Sequence, residues 1–283
     1  MNNLLKSDLY RARKDKVLWI GLIVTIGLVL FQVILSKAMV LAMNGDEAED
    51  LVSNTLAVSG LSLWSNGVSI NGNTAQLFVP IFVTIFIVKE FTDRTIRNKL
   101  IMGYSRTQIF FSIIIVHIIV SLVYLLSASL FGLIFGSIFF GFGTDVTAGA
   151  IGMLLIGFVL QFLLTYVIIG FAIVFAINRQ SLILGIIIPL VVVFIFTILY
   201  TVALVGVSEG FTKAMSFTIF FQTNELQNMT SIGDLVVQNT YKIGETIIYL
   251  PSTPLTRILL TTPFIIAIEL VVGFVRFRKI QFK

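Results

Sequence analysis

The sequence predicts an all-α integral membrane protein with six transmembrane helices. Of its 283 residues, 57% are hydrophobic and only 12% are charged, whereas soluble globular domains carry about 25% charged residues. So few charges cannot cover the surface of a water-soluble fold of this size, and the same composition is the opposite of a disordered one. The chain is therefore expected to fold in lipid.

Six apolar stretches are long enough to cross the hydrocarbon core, which takes about 20 helical residues. They cover residues 17–42, 71–89, 109–140, 149–177, 181–207 and 257–275. The second is the least apolar of the six. The first is longer than the apolar region of about 7 to 15 residues in a cleavable signal peptide, so we interpret it as a retained span.

The basic residues predict the orientation of these spans. Fifteen of the 19 Lys and Arg residues lie before span one, between spans two and three, between spans four and five, or after span six. By the positive-inside rule, both termini and these loops are expected in the cytoplasm. The net charge of +5 is thereby explained by topology, and no nucleic-acid partner is expected.

Three polar segments complete the organisation. Residues 1–16 place leucines on one helical face and cations on the other, which favours a helix in the membrane interface; a charged flank that anchors span one is the alternative. Residues 44–73 are expected to form a solvated outer connection. In the extracellular segment 208–256, short apolar runs interrupt polar residues, which predicts short helices at or dipping into the outer interface.

No recognisable catalytic or cofactor site occurs in the sequence. There is no Walker motif, no HExxH, no serine elbow, and no cysteine for a thiolate metal site. The chain is therefore not expected to be an enzyme or to hold a cofactor or metal. Polar residues inside spans are candidates by default, and Glu269, Gln161 and His117 are proposed for a translocation path. Bonds between helices are the alternative role for Glu269 and Gln161, and a hydrogen bond within the bundle is the alternative for His117.

The loop at residues 90–107 is charged yet helically patterned. Thr92 or Asp93 can cap a helix that runs from Arg94 to about Met102, and Gly103 is the expected end. Ser105 and Gln108 match a capping box that opens span three. Ile96 and Leu100 would form an apolar ridge that faces the cytosol with the neighbouring charges, a pattern that favours docking into another protein.

This loop resembles that of the permease subunits of type-2 ATP-binding-cassette (ABC) transporters of the exporter type. Their pattern is E-F-x-x-G-T-I-R-N-K-L followed by G-x-S-R, and here Arg94 replaces the glycine before the threonine. The resemblance implies that the loop is a coupling helix, which inserts into a cleft of a separate ATPase. The implied ATPase-coupling residues are Glu90, Phe91, Arg94, Thr95, Ile96, Arg97, Asn98, Lys99 and Leu100.

By the same resemblance the chain is a membrane permease subunit of an ATP-driven exporter in a bacterial cytoplasmic membrane. The implied partners are two copies of an ABC ATPase, which carry the ATP and Mg, a second permease that is the same or homologous, and membrane lipid. The Phe-rich interior favours an amphipathic or hydrophobic substrate, such as an antimicrobial or cytolytic peptide, a lipid-linked molecule or a drug. A stand-alone secondary transporter or channel is one alternative, and a membrane enzyme or sensor anchor is another.

Overall fold

The computed structural model describes residues 2–42, 59–66, 74–142, 148–179, 182–204, 208–232, 240–243 and 246–280. Within these residues the regular secondary structure consists of helices and one short pair of antiparallel strands. The helices are α1 (Asn2–Lys14), α2 (Lys16–Ala42), α3 (Gly60–Asn66), α4 (Thr74–Thr92), α5 (Thr95–Ile101), α6 (Arg106–Phe140), α7 (Ala148–Arg179), α8 (Leu182–Leu204), α9 (Glu209–Met215), α10 (Ile219–Ile232) and α11 (Pro254–Lys279), and the strands are β1 (Thr240–Ile243) and β2 (Thr246–Tyr249).

A long helix occupies each of the six predicted apolar stretches. Among the described residues, five helices are long and apolar enough to cross a membrane, namely α2, α6, α7, α8 and α11. The helix in the second stretch, α4, is not one of them, so the count of six spans and the side on which the termini lie stay predictions. A multi-pass membrane protein is nevertheless what these apolar helices indicate.

The helix α6 lies at the centre of the bundle, where it packs against α1, α2, α4 and α11. Its Tyr124 is fully buried and donates to the backbone oxygen of Leu18 at 3.3 Å, which joins α6 to α2. Elsewhere in the bundle, the hydroxyl of Thr84 on α4 donates to the backbone oxygen of Gly185 on α8 at 3.1 Å. Polar groups therefore link α6 to α2 and α4 to α8.

The predicted solvated connection at residues 44–73 contains a packed helix, and the expectation is wrong for that part. Leu63 of α3 is buried against two glycines of α6: a Cβ at Gly132 would come within 2.7 Å of the Leu63 carbonyl oxygen, and one at Gly136 within 2.6 Å of a Leu63 methyl. Only glycine permits this close approach. The rest of the connection lies outside the described residues.

The segment after α8 contains the expected short helices, α9 and α10, and α10 packs against α7 and α11. The strands β1 and β2, at residues 240–243 and 246–249, differ from the prediction. They form an antiparallel pair in which Thr240 lies opposite Tyr249, where short interfacial helices were expected. The β-branched residues Ile243, Thr246, Ile247 and Ile248 favour strands, so this short strand pair is a local departure from the predicted all-α fold.

Candidate functional site

The turn before α5 has a left-handed residue that the sequence did not predict. The helix begins at Thr95, and its N-cap is Arg94 with φ 54° and no side-chain cap, whereas Thr92 or Asp93 was expected to cap it. The hydroxyl of Thr92 instead donates to Val88 O within α4. The expected end is confirmed, since Gly103 has φ 89°.

The expected capping box is also confirmed. The Ser105 hydroxyl accepts from the Gln108 backbone N–H, and the Gln108 side chain accepts from the Ser105 backbone N–H. Both bonds satisfy donors that the first turn of α6 would otherwise leave free. The box therefore sets the start of α6 one residue after the cap.

We predict that Arg94→Gly stabilises the protein by about 1 kcal/mol, because a non-glycine residue in the left-handed region costs roughly 1–2 kcal/mol. The measurement is thermal unfolding of the purified protein in detergent. Arg94→Ala is the matched control, since it removes the same side chain but keeps the Cβ. An equal gain for both variants would assign the effect to the guanidinium and contradict the backbone explanation.

The apolar ridge of α5 faces the protein, so the expectation that it faces the cytosol is wrong. Ile96 is 1% exposed and lies in the main core cluster, with Leu100 packed against that cluster. The exposed apolar side chains at the end of α5 are instead Ile101 and Met102, at 75% and 67% exposure. Arg97 and Asn98 are exposed as well, and these four side chains form what we call the α5 outer face.

Lys99 anchors the buried side of α5 through ion pairs. Its ammonium group is 2.9 Å from a carboxylate oxygen of Asp8 and 3.0 Å from one of Glu90. Arg11 contacts the same two carboxylates, and the Ser112 hydroxyl donates to Asp8 at 2.7 Å. These residues, which we call the Asp8 cluster, join α1, α4, α5 and α6.

Lys99 and Asp8, at the centre of the Asp8 cluster, are buried, and this increases the energetic importance of the contact between them. Only 4% of the Lys99 side chain and 5% of the Asp8 side chain are exposed. Burial lowers the pKa of Lys99 from its ordinary value, and the Asp8 carboxylate opposes that shift. Since a buried charge is tolerated only when it is paired, α1 and α5 are expected to hold one relative position.

Asp8 is a site residue that the sequence reasoning missed, although a signal was present. Leu4, Asp8 and Ala12 recur at intervals of four residues and lie on the same buried face of α1. A carboxylate on the apolar face of an amphipathic helix requires a partner. This pattern predicts a buried ion pair, but it does not say that the partner is Lys99.

The structure divides the nine implied coupling residues into three groups. Glu90, Phe91, Ile96 and Lys99 make internal contacts; the Phe91 ring, for example, lies 6.4 Å from that of Phe277. Arg94, Arg97 and Asn98 are exposed. Thr95 and Leu100 are half-buried. The residues with internal contacts are suited to fix the position of α5 in the protein. The exposed residues are suited to bind another molecule.

The end of α11 is attached to the start of α6 beside this site. The guanidinium of Arg106 donates to the backbone oxygen of Ile280 at 2.9 Å and also contacts that of Arg278. These carbonyls belong to the last turn of α11 and to Ile280, its C-cap, where a cation is favourable. A displacement of α5 and the start of α6 would therefore also displace the end of α11.

The three intramembrane candidates do not meet at one place. Glu269 lines a cavity of about 10 Å³ with Tyr166 and Gly170, and neither of its carboxylate oxygens has a hydrogen-bond partner among the described residues. His117 lines a different cavity, beside α1. Gln161 is buried on α7 and lines neither of these two cavities. Both ring nitrogens of His117 lack a partner in the described part of the chain, so the alternative role of a hydrogen bond within the bundle is not observed there.

A second buried ion pair lies at the opposite end of α11, between Arg257 and Glu225 of α10. Both Glu225 carboxylate oxygens are 2.6 Å from one guanidinium nitrogen of Arg257, and the Arg257 side chain is fully buried. Gln222 and Thr261 add a hydrogen bond at 3.0 Å between the same two helices. The segment after α8 is thus attached to a long helix by polar contacts.

The fold and the site together define a multi-pass membrane protein in which a short helix between two long ones is braced by buried charges and presents an exposed outer face. The family described as ABC-2 family transporter protein matches residues 72–272. This match covers more than half of the chain, and the protein belongs to that family of transporter permeases. No curated protein and no solved structure matches the chain.

Membership in the family supports a role in membrane transport and explains the lack of a catalytic motif. ABC-2 permeases are membrane subunits without an ATPase site of their own, and the family implies association with an ABC ATPase. Within the described residues, no group of three or more His, Cys, Asp or Glu residues is arranged to hold a metal ion.

Proposed function

We propose that this chain is the permease subunit of an ATP-driven exporter and that the α5 outer face is where its ATPase binds. The observation that carries this proposal is the contrast between the two sides of α5. The inner side is held by the Asp8 cluster, while Ile101 and Met102 extend from the end of the helix with large apolar surfaces exposed. Such exposed apolar side chains, flanked by Arg97, suit a groove in a partner protein.

The mechanism follows from the way in which α5 is held. A partner that moves the α5 outer face also moves Lys99, and through Asp8 and Glu90 it moves α1 and the end of α4. Arg106 extends the connection to the end of α11. ATP and Mg bind to the ATPase, and its closure shifts the permease between two conformations that differ in their affinity for substrate. This is alternating access driven from another chain.

The orientation and the substrate class in this proposal rest on the amino-acid pattern, and the subunit composition rests on the family resemblance. The six spans are oriented with both termini in the cytoplasm of a bacterium, and two permeases, the same or homologous, assemble with two ATPases. Fixed charges are few in the long helices, which supports an amphipathic or hydrophobic substrate, such as a peptide or a drug, moving outward. Glu269, Gln161 and His117 stay the residues proposed for its path, and Tyr166 lies beside Glu269 in the same cavity.

The coupling proposal predicts that Arg97→Glu and Ile101→Ala each lower ATPase binding at least about tenfold, as expected for residues at the centre of an interface. The permease is purified in mild detergent from its native host. The measurements are the molar ratio of the copurified Walker-motif ATPase and its ATP hydrolysis per permease. Lys6→Glu is the matched control, since it reverses another exposed cation, and it should leave both values unchanged.

Unfolding midpoints are measured for the same variants, so that misfolding is not mistaken for uncoupling. Both α5 substitutions are at exposed positions, and they should change the free energy of unfolding by less than about 0.5 kcal/mol. Full ATPase binding in both variants would contradict the proposal. Substrate transport by the purified chain alone in liposomes would instead support the alternative, a stand-alone secondary transporter or channel.

A further inference from the structure

Glu269 faces a small cavity between α6, α7 and α11. The residue is 7% exposed, and neither of its carboxylate oxygens has a hydrogen-bond partner among the described residues. The cavity has a volume of about 10 Å³, which is close to the least space that one water molecule needs. A buried polar group without a partner thus faces a space for one further group of that size.

The lining of this cavity carries no positive charge. Besides Glu269 it consists of Tyr166, two glycines and six apolar side chains, namely Phe110, Ile114, Ile173, Val174, Ile266 and Leu270. An ionised carboxylate in such surroundings is tolerated only beside a positive partner. A neutral carboxyl would still leave its donor and acceptor unpaired. In either state the group lacks a partner that the lining does not supply.

The packing of α7 against α11 fixes the position of this carboxyl group. A Cβ at Gly170 would lie 2.8 Å from the carboxyl carbon of Glu269, and only glycine leaves room for so close an approach. The Tyr166 hydroxyl, one turn earlier on α7, is also buried and has no partner in the described part of the chain. Two unpaired polar groups on neighbouring helices therefore share one cavity.

The cavity lies next to the surface of the bundle. Val174, Ile266 and Leu270 in its lining are only half-buried. On the same stretch of α11, Ile268 and Val271 are 47% and 61% exposed, and exposed apolar side chains on a helix that can cross a membrane face lipid. A molecule with an apolar tail can therefore place its polar end at Glu269 while the tail stays among lipid chains.

We propose that Glu269 binds the primary ammonium group of an amphipathic amine, which enters this cavity from the lipid. An ammonium group is about the size of a water molecule, and it supplies both the missing charge and N–H donors for the Glu269 carboxylate and the Tyr166 hydroxyl. The aromatic rings of Phe110 and Tyr166 also attract a cation. A trimethylated ammonium is too large for the cavity and has no N–H to donate.

This inference rests on the proposed function in one respect, since transport makes the bound amine a substrate. It narrows the amphipathic or hydrophobic substrates of that proposal to those that carry a positive charge. The binding site itself needs no ATPase. Binding by the permease alone is therefore a separate observation from ATPase coupling, and either proposal can fail without the other.

The test uses the full-length protein purified in maltoside detergent at neutral pH. The probe is dansylcadaverine, a fluorescent primary amine with a pentyl chain, and binding is measured by fluorescence anisotropy. Its Kd should be at least about tenfold lower than the Kd values of the N-acetyl analogue, which is uncharged, and of the N-trimethyl analogue. Equal binding of the three probes, or no saturable binding of the primary amine, would overturn the proposal.

Variants assign the binding to this carboxylate. Glu269→Gln keeps the shape of the side chain but removes its charge, and it should weaken binding of the primary amine at least about tenfold. The matched control is Glu209→Gln, which neutralises an exposed carboxylate outside this lining and should leave the Kd unchanged. Unfolding midpoints show whether each variant is folded, and the comparison of probes on the unaltered protein does not depend on any variant. An unchanged Kd in folded Glu269→Gln contradicts the assignment.

Discussion

Replacing Lys99 with Met should lower the free energy of unfolding by about 3 kcal/mol or more, because breaking one side of a buried ion pair leaves the other charge uncompensated. Methionine is close to lysine in length, so the packing of the stem is kept. The cost arises from Asp8 and Glu90, which lose the ammonium group that lies 2.9 Å and 3.0 Å away. The measurement is equilibrium unfolding in detergent.

The chain provides a matched control for this substitution. Lys89 pairs with Asp15 at 2.9 Å, but 43% of its side chain is exposed, so Lys89→Met should cost less than about 1 kcal/mol. Adding Asp8→Asn to Lys99→Met should recover part of the loss, because one of the two carboxylates that lost the ammonium group is then neutral. Equal costs for Lys99→Met and Lys89→Met would show that burial does not determine the strength of this cluster.

Replacing Glu225 with Ala should destabilise the protein by about 3–5 kcal/mol, which is the range for an ion left without its partner in a buried site. The Arg257 side chain is fully buried, and two of its guanidinium nitrogens already lack partners in the described part of the chain. Glu225 therefore supplies the compensating charge. Thermal unfolding of the variant in detergent measures the loss.

A second ion pair in the same segment is the control. Glu209 and Lys213 also approach to 2.6 Å, but their side chains are 61% and 39% exposed, and Glu209→Ala should cost no more than about 0.5 kcal/mol. The double variant Glu225→Leu with Arg257→Leu should recover most of the stability, since an apolar pair can replace a buried ion pair. A double variant as unstable as Glu225→Ala would contradict this account.

Two predictions at the α5 site were wrong: the direction of its apolar ridge and the residue that caps it. They have one physical cause. A pattern of apolar residues shows that a helix has an apolar face, but not whether that face meets the same protein or another one. Ile96 and Leu100 were therefore recognised as a ridge and assigned the wrong neighbour. In the same way, Arg94 was recognised as the position that departs from the family pattern, whereas its left-handed backbone depends on how closely α4 and α5 are joined.

The sequence by itself determined the apolar helices, the capping box at Ser105 and the glycine end of α5, and the resemblance to the transporter family that the match over residues 72–272 bears out. These features depend on local patterns, such as hydrophobic length and the spacing of capping residues, which are visible in a single chain segment. Only the tertiary structure decided that Lys99 meets Asp8 across 91 residues, that Arg257 meets Glu225, and that Glu269 and His117 lie in separate cavities. Such contacts depend on which helices pack side by side. In a membrane many apolar helix faces are nearly equivalent. The pairing of the helices is therefore set by a few polar and small residues whose partners lie far along the chain.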